Sequence, residues 1–179
     1  MKFGAFDAGG FQGFHASPET LQPGMVLRSE HHQVFFLDKD HPRVLDLLGN
    51  EPHYKVYRGL ESVFEETRAA HFRQLVSRAD AVFLFHESAA AQLFRQKSRN
   101  GNGVVVSVLV EGEAQGFVGD MGWRDRAARI SKGLPVAPGD AQTIDECAAN
   151  YWSGRAMSSG SQPEVLVCGK VIVGEQQPC

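Results

Sequence analysis

Two segments at opposite ends of the 179-residue sequence hold side chains suited to chemistry at a strand end. His15 ends the aromatic strand candidate Gln12–His15, and Glu164 begins the apolar run Glu164-Val165-Leu166-Val167. An imidazole at a strand end can face a cleft in which the neighbouring backbone groups pair with a planar carboxamide. The alternatives are a histidine that closes a turn and a carboxylate at a solvated strand end, and from these residues alone both remain open.

Gln162 lies two positions before Glu164, with Pro163 between them. Proline suits the first position of a strand. Because side chains alternate along a strand, Gln162 and Glu164 would share one face if the strand begins that early.

A third segment, Ser77-Arg78-Ala79-Asp80, leads into the strand candidate Ala81–Phe85. Phe83 and Phe85 lie on one face of that strand, and an aromatic ring there can stack on a heterocycle. The alternative is a core strand with a surface ion pair.

The remaining pattern predicts the elements that position these residues. Short apolar runs rich in β-branched and aromatic residues predict strands, and three-four apolar spacing predicts helices. The strands are Gln12–His15, Val34–Leu37, Ala81–Phe85, Val104–Val110 and Glu164–Val173, and the helices are Gly59–Val76, Ser88–Gln96 and Asp140–Trp152. Thr143-Ile144-Asp145-Glu146 has the form of a capping box for the last helix. Because the order lacks regular βαβ alternation, the pattern favours an α+β fold.

The composition and net charge are those of an ordinary globular protein. The apolar share of 42%, the charged share of 22% and the net charge of −3 predict one globular domain over residues 1–179. Clustered basic residues drive general nucleic-acid binding, and this charge gives it no support. No apolar run reaches a membrane-spanning length, and no signal peptide is evident, so we expect a cytoplasmic protein. Cys147 and Cys168 have apolar neighbours and are expected in the core.

Two further polar segments are expected to lie outside any site. His31, His32 and the segment Asp38–His41 match no known ligand spacing, so we expect a loop and no metal site. Asp120–Arg126 is expected to form a solvated loop or a short helix.

Taken in order, these pieces resemble the ADP-ribosyltransferase superfamily, in particular its small rifampin-type and diphtheria-toxin-like members. Phe14-His15-Ala16-Ser17 is similar to the opening strand of the NAD site, and Ala81–Phe85 with Ser88–Phe94 is similar to the second motif. Ala149–Trp152 followed by Glu164–Val167 is similar to the last helix and the strand that carries the catalytic acid.

The resemblance implies a fold of two small packed β-sheets flanked by helices, with NAD as the substrate. It implies that Glu164 is the catalytic acid and that His15, Ala16 and Ser17 bind NAD, with Phe83 stacking on nicotinamide and Arg78 on the pyrophosphate. Phe83 stands where the family usually has tyrosine. Gln162 matches a Gln-x-Glu form that governs the acceptor.

The expected activity is mono-ADP-ribosyl transfer to a protein or nucleic acid, with NAD glycohydrolysis as a variant. Two alternatives stay open: a non-catalytic binding domain of the same fold, and an RNA 2′-phosphotransferase, which requires a set of basic residues of which the sequence offers Arg78. The acceptor and the oligomeric state are left open by the sequence.

Overall fold

A computed structural model describes residues 2–28, 35–50, 54–138, 141–157 and 161–178. This part of the chain forms a mixed α+β fold, and its strands are β1 (Gly4–Asp7), β2 (Gln12–Ser17), β3 (Val26–Leu27), β4 (Val82–Leu84), β5 (Val104–Asp120) and β6 (Pro163–Gln176). Its helices are α1 (Pro42–Asn50), α2 (Tyr54–His71), α3 (Ser88–Arg99), α4 (Met121–Ser131) and α5 (Ile144–Trp152).

All six strands belong to one antiparallel sheet built around β5 and β6. The first half of β5 pairs with β2, the second half with β1, and both halves pair with β6. β6 in turn pairs with β4 near its start and with β3 further along. The two separate sheets that the resemblance implies are therefore joined, because β5 and β6 run through both halves.

A register shift divides the long β5–β6 pair. It lies between Glu111 and Gln115, where Gly112 adopts a φ of 72° that favours glycine. Such a bulge bends a strand and increases its twist. Gly169 faces this bulge, and a Cβ there would lie 2.5 Å from the Cβ of Ala114, so the glycine admits a close approach and does not end the predicted strand.

The coiled sheet brings two distant strands together. β2 pairs only with β5 and β4 only with β6, yet Phe14 of β2 and Phe85, just after β4, form a bridge with two backbone hydrogen bonds of 2.8 Å. Beyond this bridge the two strands diverge and leave a wedge between them.

Apolar residues fill both sides of the sheet. One core holds alternating valines of β4, β5 and β6, as expected for one face of a pleated sheet. The other core packs α2, α4 and α5 against the opposite face, and its buried members include Phe64, Phe117, Trp123, Tyr151 and Trp152.

Several predicted elements are confirmed with altered limits. The helix predicted at Gly59–Val76 is α2 and begins and ends five residues earlier, while α3 extends the prediction at Ser88–Gln96. The predicted capping box is present, with Thr143 as the N-cap of α5. Asp140 lies outside the described residues.

Two predictions were wrong, and one was confirmed only in part. Phe35–Leu37 form a turn and a bend, not a strand, and Val34 lies outside the described residues. The short helix that was one of the two possibilities at Asp120–Arg126 is present as the start of α4, but the segment is largely buried, because Trp123 faces the core and Arg126 donates to the carbonyl oxygens of two residues in the following loop. Cys147 is buried as expected, whereas Cys168 is exposed because it faces away from the valine core.

Candidate active site

The wedge between β2 and β4 is a pocket of about 90 Å³. Six of the residues singled out in the sequence line it: His15, Ala16, Arg78, Phe83, Phe85 and Glu164. Three arginines from other elements, Arg28, Arg99 and Arg124, line it as well. His15 Nδ1 donates a hydrogen bond of 2.9 Å to the carbonyl oxygen of Phe83 and so ties the two walls together.

Ala16 presents backbone groups to this wedge. In an antiparallel pair, alternate residues direct their N–H and C=O toward the same neighbouring strand. Phe14 directs both groups to Phe85, away from β5, so Ala16, two residues on, directs its own groups away from β5 as well. At Ala16 the strands β2 and β4 have separated. Apart from the β2–β5 pairing, no backbone hydrogen bond joins Ala16 to another described residue. One donor and one acceptor therefore lie side by side at the pocket wall.

Glu164 lies at the start of β6 and is only 3% exposed. Its Oε1 accepts a hydrogen bond of 2.7 Å from the Tyr151 hydroxyl and a second, short one from Arg78 Nη1. Among the described residues none donates to Oε2. The carboxylate thus has one oxygen held by the protein and a second available to the pocket, which excludes the interpretation as a solvated strand end.

Arg78 lies in the turn before β4 and is buried, with 1% of its surface exposed. Its Nε and Nη2 donate to the two oxygens of Glu61 at 2.8 and 3.2 Å, while Nη1 donates to Tyr151 and Glu164. The surface ion pair considered from the sequence is therefore a buried one. Glu61, Glu164 and the Tyr151 hydroxyl engage this guanidinium, and its expected contact with the pyrophosphate stays a prediction.

Charge within this cluster is balanced. Burial by itself lowers the pKa of Arg78, but the negative charges of Glu164 and Glu61 outweigh it and raise that pKa well above the usual value. Arg124 of α4 adds a second cation, which lies 2.8 Å from Glu61. Two arginines and two glutamates thus share one buried network, and all four charges have partners.

Two other arginines give the pocket a basic rim. Arg28 is exposed, and Arg99, at the end of α3, is half-buried with its guanidinium 5.9 Å from the Phe94 ring. The Nε of Arg99 is buried without a hydrogen-bond partner, and Arg99 forms no ion pair with another described residue. Burial lowers the pKa of Arg99. A desolvated cation of this kind is stabilised when an anion binds beside it.

A second depression of about 370 Å³ adjoins the pocket, since His15 and Arg28 line both. Ser17 lines this second depression, and its Oγ accepts a hydrogen bond from the backbone of Glu19. Together the two spaces form an elongated cleft, with the carboxylate of Glu164 at its enclosed end.

Gln162 lies apart from this cleft. It precedes β6, lines a separate depression beside α4, and bonds through its backbone to Asp120 and Met121. Asp120 is fully buried and accepts backbone hydrogen bonds from Gly122, Met157 and Gln162. This aspartate therefore both caps α4 and fixes the segment that leads to Glu164.

Sequence reasoning missed Glu61, Arg99, Arg124 and Tyr151 as site residues. Each lies on a helix, where the amphipathic pattern separates buried from exposed positions but does not show which residues take part in a site. Their shared role depends on how α2, α3, α4 and α5 pack around β6.

Comparison with known families assigns the chain to one of them. Residues 26–177 match the model of a protein family of unknown function, DUF2441, and because this range covers most of the chain, the protein belongs to that family. The match begins after β2, so His15, Ala16 and Ser17 precede it. A search of curated proteins found no match.

The described residues contain no group of three or more His, Cys, Asp or Glu side chains placed to hold a metal ion. His31 and His32 lie outside the described residues. No helix in the described ranges is long and apolar enough to cross a membrane.

Proposed function

We propose that this protein is an NAD-dependent mono-ADP-ribosyltransferase, with a fold of the ADP-ribosyltransferase type. One observation carries the proposal: His15, Ala16, Phe83 and Glu164, which come from three distant parts of the sequence, line a single pocket. Three of these residues belong to three different strands and the fourth, Ala16, follows His15. The coarse α+β architecture, with a coiled antiparallel sheet flanked by helices, is compatible with such a fold.

The pocket offers what nicotinamide needs. A carboxamide has a carbonyl oxygen that accepts and an amino group that donates, and these pair with the N–H and C=O of Ala16. The Phe83 ring packs against Arg78, whose guanidinium carbon lies 4.6 Å from its centroid, and it provides an aromatic wall to the pocket. Phenylalanine at this position keeps the stacking surface that the family's tyrosine provides.

Glu164 supplies the catalytic group. When the bond between nicotinamide and ribose breaks, its electron pair leaves with nicotinamide and positive charge develops on the ribose, as at a glycosidic bond. Oε2 of Glu164 accepts a hydrogen bond from a ribose hydroxyl and stabilises this charge. An acceptor nucleophile, or water, then forms the new bond to the anomeric carbon and loses its proton.

The phosphates of NAD require a cation, and in this proposal Arg99 replaces Arg78 in that role. Arg78 is occupied by Glu61 and Glu164, whereas Arg99 lines the pocket without a carboxylate partner. The rest of the dinucleotide lies along the adjoining depression, past Ser17 and Arg28. Gln162 lies two residues before Glu164 but lines another depression. It stays a candidate for binding the acceptor of the ADP-ribosyl group.

The test is NAD consumption and nicotinamide release by the purified protein, compared with Glu164→Gln. We expect the variant to fold and to lose at least about 10²-fold in turnover, the scale known for a single electrostatic donor in an active site. Glu175→Gln, at an exposed position further along β6, is the matched control and should keep full activity. Absence of both NAD cleavage and NAD binding in the unmodified protein would refute the proposal and favour a non-catalytic binding domain.

A second candidate is an RNA 2′-phosphotransferase, which also uses NAD. The specific observation in its favour is that four arginines line the pocket where the sequence had suggested one. Arg28 and Arg99 are at its rim, while Arg78 and Arg124 are also paired with glutamates. The same assay distinguishes the two activities. A phosphotransferase would consume NAD only when 2′-phosphorylated RNA is supplied, whereas a transferase or glycohydrolase does not need that RNA.

A further inference from the structure

A continuous line of buried side chains connects helix α2 with the pocket. It runs from Glu61 through Arg78 to Glu164, and Tyr151 of α5 joins it at Glu164. We propose that Glu61, Arg78 and Tyr151 are positioning residues that hold Oε1 of Glu164 and thereby present Oε2 to the substrate. This inference rests on the proposed function of the pocket, because it assigns the network a role in that reaction.

A gain in folding stability is not enough to explain why the protein buries this charged network. Breaking a buried ion pair is costly, but replacing the whole pair by well-packed apolar residues is often neutral or stabilising. Glu61, Arg78 and Glu164 are all at most 3% exposed, so their desolvation offsets much of their mutual attraction. The geometry of the network is its distinctive property.

Arg78 fixes direction because its guanidinium is planar and binds along two edges. Nε and Nη2 engage both oxygens of Glu61, and Nη1 engages Glu164. A planar, bidentate contact of this kind restricts rotation. The guanidinium cannot turn away from Glu164 without also breaking its bonds to Glu61. The position of Glu61 on α2 therefore sets the position of Oε1.

Tyr151 holds the same oxygen from another side. Its hydroxyl accepts a hydrogen bond of 2.7 Å from Arg78 and donates one of 2.7 Å to Oε1 of Glu164. Burial and the charge of Glu164 raise the pKa of Tyr151 well above its usual value, against the opposite effect of Arg78, so the hydroxyl keeps its proton. Two donors thus converge on Oε1, and Oε2 keeps its lone pairs for a ligand hydroxyl.

The main experiment is Tyr151→Phe, which keeps the ring in the core and removes only the hydroxyl. We expect kcat for NAD cleavage to fall about tenfold while KM for NAD stays within about twofold, because the lost interaction acts on the transition state.

The other charged groups near Glu164 are unchanged in this variant. They are Arg78 from the turn before β4, Arg124 and Asp125 from α4, Glu61 from α2 and His15 from β2. A change in kcat relative to the unmodified protein therefore reports the lost hydroxyl. Tyr54→Phe is the matched control: Tyr54 is also buried, but it packs against Phe35 in a separate core, and its variant should leave kcat and KM unchanged.

A direct spectroscopic measurement separates failure of this inference from failure of the proposed function. Carbon-13 NMR of labelled glutamate carboxyls, with the Glu164 signal assigned by Glu164→Gln, reports the hydrogen bonding of this carboxylate without any substrate. A Glu164 carboxyl signal that moves in Tyr151→Phe, and stays in place in Tyr54→Phe, would support the positioning network even if no NAD were cleaved. An unmoved signal, or a loss that falls on KM and leaves kcat intact, would overturn it.

Arg78→Lys provides a second, independent test. Lysine keeps the positive charge but lacks the planar edges, so we expect kcat to fall by about tenfold or more while KM for NAD stays within about twofold. Full activity of a folded Arg78→Lys protein would contradict the role of geometry. Should this variant fail to fold in circular dichroism, Tyr151→Phe and the carboxyl signal of Glu164 decide the question.

Discussion

At the scale of single residues, two arginines of the pocket differ in what surrounds them. Arg78 is enclosed by Glu61, Glu164 and Tyr151, and its charge is neutralised within the protein. Arg99 is also partly desolvated, but it has no ion-pair partner among the described residues, only the Phe94 ring nearby. A cation in that position is suited to an anionic ligand, whereas Arg78 is suited to hold a neighbouring side chain.

Arg99→Gln tests this division. We expect KM for NAD to rise about tenfold or more, because a charge-assisted hydrogen bond to phosphate contributes about 1.5–3 kcal/mol, while kcat changes little. The check is steady-state kinetics together with calorimetric binding of ADP-ribose. Arg73→Gln, on an exposed turn after α2, is the matched control. Equal affinities of both variants for ADP-ribose would contradict a phosphate contact at Arg99.

At the scale of elements, helix α5 positions Tyr151 at the site because the helix packs tightly on β5. A Cβ at Gly119 would lie 2.4 Å from the Tyr151 ring, so the glycine admits the close approach. Trp152 Nε1 donates to the carbonyl oxygen of Phe64 and ties α5 to α2. The beginning of α5 is fixed by its capping box, in which Thr143 and Glu146 satisfy each other's backbone N–H groups.

Thr143→Ala removes the side-chain half of this box. We expect the free energy of unfolding to fall by about 1 kcal/mol, the usual cost of losing an N-cap hydroxyl. Urea denaturation followed by circular dichroism measures it. Thr143→Ser keeps the hydroxyl and should retain most of the stability. A destabilisation as large for serine as for alanine would show that the cap is not the cause.

At the scale of the whole molecule, the β5–β6 pair joins both halves of the sheet and both cores. Phe117, Val165 and Leu166 are fully buried there, while Val26 in the short edge strand β3 is exposed. The most stable hydrogen bonds of a protein lie in its buried central strands, and edges open locally at lower free energy. The bridge between Phe14 and Phe85 joins β2 to the end of β4. The pocket lies next to this bridge, where the two strands separate.

Native-state hydrogen exchange can test this arrangement. We expect the amides of Leu166 and Phe117 to exchange only through global unfolding, with the denaturant dependence of the full transition. The Leu27 amide should exchange faster, through local opening of β3. Protection of Leu27 equal to that of Leu166 would show that the sheet opens as a single unit and would contradict this view.

The sequence by itself determined the types of most elements and several site candidates. Apolar periodicity predicted α2, α3 and α5 and parts of four strands, because each pattern depends on neighbours only a few residues away. It also selected His15, Phe83 and Glu164, since a polar or aromatic side chain at a strand end stands out locally. For α4 the sequence left a loop and a short helix open, and it missed the burial of Asp120 and Arg126, which bond to distant backbone groups.

Only the tertiary structure decided which of these residues meet. The coil of the sheet around the β5 bulge brings Phe14 to Phe85 and leaves the wedge beside Ala16. Packing of α2 against α5 brings Glu61 to Arg78, which also forms an ion pair with Glu164. These contacts join residues far apart in the chain, and their geometry depends on helix packing and sheet coiling that no local pattern records.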